Sequence, residues 1–186
     1  YRNPFWNLKT QRLDFRKYLD DRGYKMTSED LITVHLGIND VFLDVSEAKL
    51  ESIKADFDKM LIEFRAVIPG INIGLCITIP PSISQDAFAV NYASGQTLKR
   101  YIENYKKLVG FLLKNYDTPE MRNSKLYSIG FNYCIDRTNN FQKTTMKANS
   151  RSTQIIETWS NGVHPDNTGY YQMGDVLYSF IKSVVS

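Results

Sequence analysis

Three short apolar runs, set apart by long amphipathic patterns, limit this chain to few folds. Leu31-Ile32-Thr33-Val34-His35-Leu36 ends at Gly37, Ile71 to Ile79 ends at Pro80-Pro81, and Leu126 to Ile135 closes the series. Their brevity and β-branched content read as buried strands. Between the first two runs, Leu50, Ile53, Phe57, Leu61, Phe64 and Ile68 recur at three- and four-residue steps, which is the period of one helix face. Asp44 and Glu47 have capping-box spacing ahead of that helix, and Pro69-Gly70 ends it. Thr97 to Tyr116 predicts a second long helix, Leu13 to Asp21 a short early one stopped by Gly23, and Asn167 or Thr168 to Val185 a last one. The polar stretches 82–96 and 136–160 read as loops, the latter long enough to carry function.

Strands alternating with long helices imply a parallel sheet covered on both faces, an α/β architecture of three layers, α/β/α. Sites in such sheets form beyond the carboxyl ends of the strands. That rule puts Gly37 to Asp40, the 80–96 loop and the 136–164 loop along one rim. The 186 residues suit a single domain over 1–186. A net charge of +3, with Lys/Arg and Asp/Glu interleaved, gives no basic block for nucleic acid. No apolar run is long enough for a membrane span. Cys76 and Cys134 each sit in an apolar run without metal-ligand spacing and read as buried thiols rather than a disulfide. No metal or cofactor signature is present, and no glycine-rich phosphate loop follows a strand, which argues against a flavodoxin-like nucleotide or flavin binder.

Two stretches on the rim carry candidate chemistry. Asn161-Gly162-Val163-His164-Pro165-Asp166 holds one of only two histidines in a stiff turn at the start of the last helix. An imidazole there is able to serve as general base toward a hydroxyl nucleophile, provided an acceptor fixes its other nitrogen. Asn161 offers an amide oxygen for that purpose, while Asp166 is better placed to cap the helix. Gly37-Ile38-Asn39-Asp40 leaves the first strand, where the Asn39 amide is a neutral donor suited to an oxyanion. Both stretches are also rich in ordinary turn formers. His35, inside the first run, reads as a packed core histidine.

Gly37-Ile38-Asn39-Asp40 together with Val163-His164-Pro165 and the following Gly169-Tyr170 resembles the SGNH hydrolase superfamily, the GDSL-like esterases and lipases. The resemblance spans essentially the whole chain. It implies a flavodoxin-like fold and serine-dependent ester hydrolysis without metal or cofactor. It assigns His164 as catalytic base, with Asn161 standing where the family has an aspartate. It assigns Asn39 and Gly37 to the oxyanion hole and Asp40 to supporting the turn.

The chain departs from the family pattern in two ways. The opening Gly-Asp-Ser block is absent, Ser94-Gly95 being a poor substitute, and no second-block glycine is identifiable. The expectation is therefore that the first strand or strands lie outside this chain, on a cleaved segment or a separate polypeptide that carries the serine. Otherwise the Leu31–Leu36 strand would present a bare edge. The second departure is Asn161 in place of the carboxylate. Two functions follow: an esterase acting on an ester or acetylated carbohydrate, with Phe88, Tyr92, Phe141 and Trp159 around the pocket, or a catalytically impaired module for glycan binding or structural assembly.

Overall fold

A computed structural model of the chain describes residues 4–89 and 95–185. A small hairpin, β1 (Trp6–Asn7) and β2 (Arg12–Leu13), leads into α1 (Phe15–Arg22). Gly23 then ends α1 in the left-handed conformation, as its position predicted. There follow β3 (Leu31–Val34), α2 (Glu47–Val67), β4 (Asn72–Cys76), the short α3 (Asp86–Ala89) and α4 (Leu98–Tyr116). The remainder comprises α5 (Pro119–Asn123), β5 (Leu126–Ile129), a second hairpin β6 (Lys143–Lys147) and β7 (Ile155–Trp159), and α6 (Asn167–Val185).

The central sheet is parallel, in the order β3-β4-β5. Residues Ile73 and Leu75 of β4 face α2 and α4, meeting Phe57, Phe64, Leu108 and Leu112 in the main core. Complete burial of Leu108 and Leu112 contributes about 1.5–3 kcal/mol each. Cys76 and Ile129 point to the opposite face, where Met173 of α6 covers them. The three α/β/α layers expected from the strand and helix periods are present.

Local details differ from expectation. Ser46, not Asp44, caps α2: its Oγ accepts from the Lys49 amide at 3.2 Å. The third strand stops at Ile129, because Gly130 turns the chain into a single 3-10 turn over Phe131–Tyr133 that ends at Cys134. Cys134 is consequently only half-buried; Cys76 is buried, and both thiols are free. The stretch 143–159 is an antiparallel hairpin rather than a loop. Its strands expose Met146, Ile155 and Ile156, so they lack the buried apolar face by which a strand is recognised in sequence.

His35 is also not a core residue. It lies just past β3, exposed, with its ring edge-on to Phe131 at 5.4 Å. Desolvation by that crowding lowers its pKa even though the side chain reaches solvent. The physical reason for its exposure is the sheet order. Among the described residues nothing pairs with the outer edge of β3, and Thr33, His35 and Leu36 are all exposed there.

Candidate active site at the carboxyl rim

The first candidate stretch forms a tight turn off β3. Gly37 has φ +104°, a conformation open to glycine and strained for other residues, and it is buried against Leu108 and Phe57. The Asp40 amide donates to the Gly37 carbonyl at 3.2 Å and closes the turn. Asp40 therefore supports the turn through its backbone, while its carboxylate is exposed. Beyond it, Val41 is fully buried and its carbonyl accepts from the buried Asn104 amide at 2.8 Å; the Gln96 amide donates to the Phe42 carbonyl. The turn is thus held at both ends, and the Asn39 side chain stands exposed, making no hydrogen bond to a described residue.

The second stretch is built around Asn161. Its Oδ1 accepts from the Val163 amide at 2.9 Å and the His164 amide at 2.8 Å. Val163 and Pro165 are buried on either side of His164, and Pro165 bridges to Phe141. The His164 imidazole is exposed. Asp166 caps α6 as expected, its carboxylate accepting from Thr168 and from the Gly169 amide. Slight burial acts to raise the pKa of that carboxyl, but these hydrogen bonds prevail and hold it below the usual range.

A satellite cluster brings the two stretches together. Ala87, Phe88, Tyr101, Tyr105 and Val163 are buried against one another, and Ile38 and Phe42 from the first turn pack on them. The neighbours of Asn39 and of His164 therefore share one apolar support. The segment after β4 joins them: the Ser82 amide donates to the Gly162 carbonyl at 3.1 Å, and Thr158 Oγ1 donates to Asp86 at 2.9 Å. Arg137 Nε donates to the Pro81 carbonyl at 2.6 Å, which adds the start of the 136–140 loop to the same rim. Neither Ser82 nor Arg137 was singled out in the sequence. Ser82 was foreshadowed only by Pro80-Pro81, which bars a strand from continuing past the rim, although β4 already stops at Cys76.

The aromatic residues expected around a pocket are placed differently. Phe88 and Phe141 are fully buried and serve as packing; Trp159 is half-buried, with Lys143 Nζ 5.3 Å from its ring centre. Tyr92 and Ser94 lie outside the described residues. No described serine hydroxyl is hydrogen-bonded to the His164 ring. Ser82, although tied to this loop, is wholly buried with its Oγ unpaired. An open groove of about 350 Å³ runs beside the loop, lined by Gln142, Pro165, Asp166, Thr168 and Tyr170. Among the described residues no group of three or more His, Cys, Asp or Glu side chains is arranged to hold a metal, and no helix is long and apolar enough to cross a membrane.

The fold and the rim together define an α/β protein with a parallel central sheet and an imidazole at its carboxyl end. The same fold occurs in a possible lipase from Chitinophaga pinensis, whose crystal structure superposes with a TM-score of 0.53 at 14% identity, covering 84% of this chain and 74% of that one. No protein-family model matches the chain, and no curated protein matches it.

Proposed function

We propose that this protein is a serine ester hydrolase of the SGNH type, an acylhydrolase in which His164 is the general base and Asn39 an oxyanion donor. The observation that carries this reading is the shared support under Ile38 and Val163, which sets both candidate stretches on one rim. A serine from outside these 186 residues attacks the acyl carbonyl. His164 takes its proton and returns it to the departing alcohol as the ester C–O bond breaks; water then releases the acid by the same route. Asn39, with the Gly37 turn, faces the negative charge on the tetrahedral oxygen. Asn161 acts as a positioning residue, holding the loop through two backbone amides. The edge of β3, unpaired among the described residues, supports docking of the serine-bearing segment, whether contiguous or a separate polypeptide.

The substrate in this reading is an ester, with an O-acetylated carbohydrate favoured. With Phe88 and Phe141 buried, the aromatic support for a sugar rests, among the described residues of that set, on Trp159. The test is hydrolysis of p-nitrophenyl acetate by the protein together with its serine-bearing segment. Replacing His164 with Ala should abolish most of the rate, and an unchanged rate would remove the assigned base. One observation favours the second reading, a glycan-binding or structural module: the Asn161 oxygen already accepts two backbone donors and carries no charge with which to stabilise an imidazolium. Saturable glycan binding without turnover would decide for that module.

A further inference from the structure

Arg137 is a cation on this rim with no carboxylate partner among the described residues. It follows β5 in a loop that is stiff for local reasons. The Asp136 carboxylate accepts from the Thr138 and Asn139 amides at 2.8 and 3.0 Å and from Asn139 Nδ2 at 2.8 Å. The Asp136 amide donates to Gln172 of α6 at 2.8 Å, and Trp159 Nε1 donates to the Thr138 carbonyl at 3.2 Å. Arg137 therefore projects from a fixed backbone. Its Nε is committed to the Pro81 carbonyl, one residue before the Ser82–Gly162 link that holds the His164 loop. Its charge also reaches Tyr105, a member of the cluster beneath Ile38 and Val163.

The rest of the guanidinium is unspent. Among the described residues no carboxylate lies within ion-pair distance of Arg137, and its two terminal nitrogens have no acceptor. The adjacent Asp136 is fully occupied by its own turn, and its pKa is held down first by the Asn139 side chain and then by the two amides. A half-buried cation without a counter-charge forgoes the compensation that such groups normally have. A planar fork with one edge anchored and the other free is suited to a planar oxyanion, above all a carboxylate.

We propose that Arg137 binds a carboxylate of the substrate, so that the preferred ester carries an acidic group near the scissile bond, as an O-acylated sugar acid does. This rests on the hydrolase reading for the site but not on its catalytic residues.

The experiment compares para-acetoxybenzoate with its neutral amide counterpart, para-acetoxybenzamide, as substrates of the protein with its serine-bearing segment. The two present the same acetyl ester and differ in the carboxylate. Arg137→Gln should raise KM for the benzoate by about 10- to 100-fold and leave the benzamide within about 2-fold, because a hydrogen bond to a charged group is worth about that factor. Arg137→Lys should fall between, keeping charge but losing the fork. Equal effects on both substrates, or none on either, would overturn the proposal. Binding of para-hydroxybenzoate, followed by the Arg137 Nε–H resonance, is read separately. A saturable shift in the absence of any ester hydrolysis sinks the hydrolase reading, and with it the acidic ester as substrate, and keeps only the carboxylate site at Arg137. Hydrolysis that depends on His164 but shows no benzoate preference and no shift does the reverse.

Discussion

The Ser82 amide donates to the Gly162 carbonyl at 3.1 Å, and on the other side of Gly162 lies the ring of Phe88, so close that a Cβ there would be 2.5 Å from it. The loop bearing His164 is thus clamped between the segment leaving β4 and a fully buried phenylalanine. Gly162→Ala should destabilise the protein by about 1–3 kcal/mol, since neither the ring nor the backbone has room to yield. Urea midpoints of the two proteins test this. A variant as stable as the parent would show that the loop is looser than its contacts imply.

His164 is exposed and its ring has no hydrogen-bond partner among the described residues. His164→Ala should therefore leave stability within about 0.5 kcal/mol. Ester hydrolysis should drop by about 10²- to 10⁴-fold. Parallel thermal melts and p-nitrophenyl acetate rates separate the two effects.

Asn161 has one oxygen serving two backbone amides. Asn161→Ala removes that acceptor and should cost about 1–3 kcal/mol, with a matching loss of rate as the loop relaxes. Asn161→Asp keeps an acceptor and adds the charge that an imidazolium needs. In a serine protease, the handicap of Asn against Asp at the orienting position is about 10⁴ in turnover, so a carboxylate here should raise kcat measurably. A kcat for Asn161→Asp at or below that of the parent would show that residue 161 serves only the loop.

Burial pushes the Cys76 thiol from 9.0 up to about 12, and desolvation likewise lifts Tyr105 from 10.0 to about 12. Desolvation and then the Asp58 carboxylate raise Tyr116 further. These groups keep their protons in the native protein after the unfolded chain has begun to lose them. The unfolded state therefore binds fewer protons above about pH 9, and stability should fall from there toward about pH 12, with no such contribution below it. Urea titrations across that range should show the decline. Cys76→Ala should lie lower throughout but descend less steeply.

Much of the layered architecture is already written in spacing. Leu50 to Ile68 at helical steps, and Ile71 to Ile79 as one apolar run, force a buried strand beside an amphipathic helix, because those side chains bury on only one kind of backbone. Gly23 at a helix end, Pro69-Gly70 after another and Asp166 before the last were legible for the same local reason: each acts within a few residues of itself. The hairpin of Lys143–Lys147 with Ile155–Trp159 was not legible, since its strands are exposed and only their mutual pairing makes them strands.

By itself, the sequence determined the order of the three sheet strands and the long helices between them, and hence which loops share a rim, and it marked Gly37 to Asp40 and Asn161 to His164 as turns bearing polar groups. Only the tertiary structure decided what those turns rest on. It buried Phe88 and Phe141, which looked available for a ligand, and it left His35 exposed at an edge that no described residue pairs. It set Arg137 against Pro81 with its two terminal nitrogens unpaired among the described residues. Burial and pairing of this kind are sums over contacts between residues far apart in the chain, and no local pattern around residues 35, 88 or 137 carries that information.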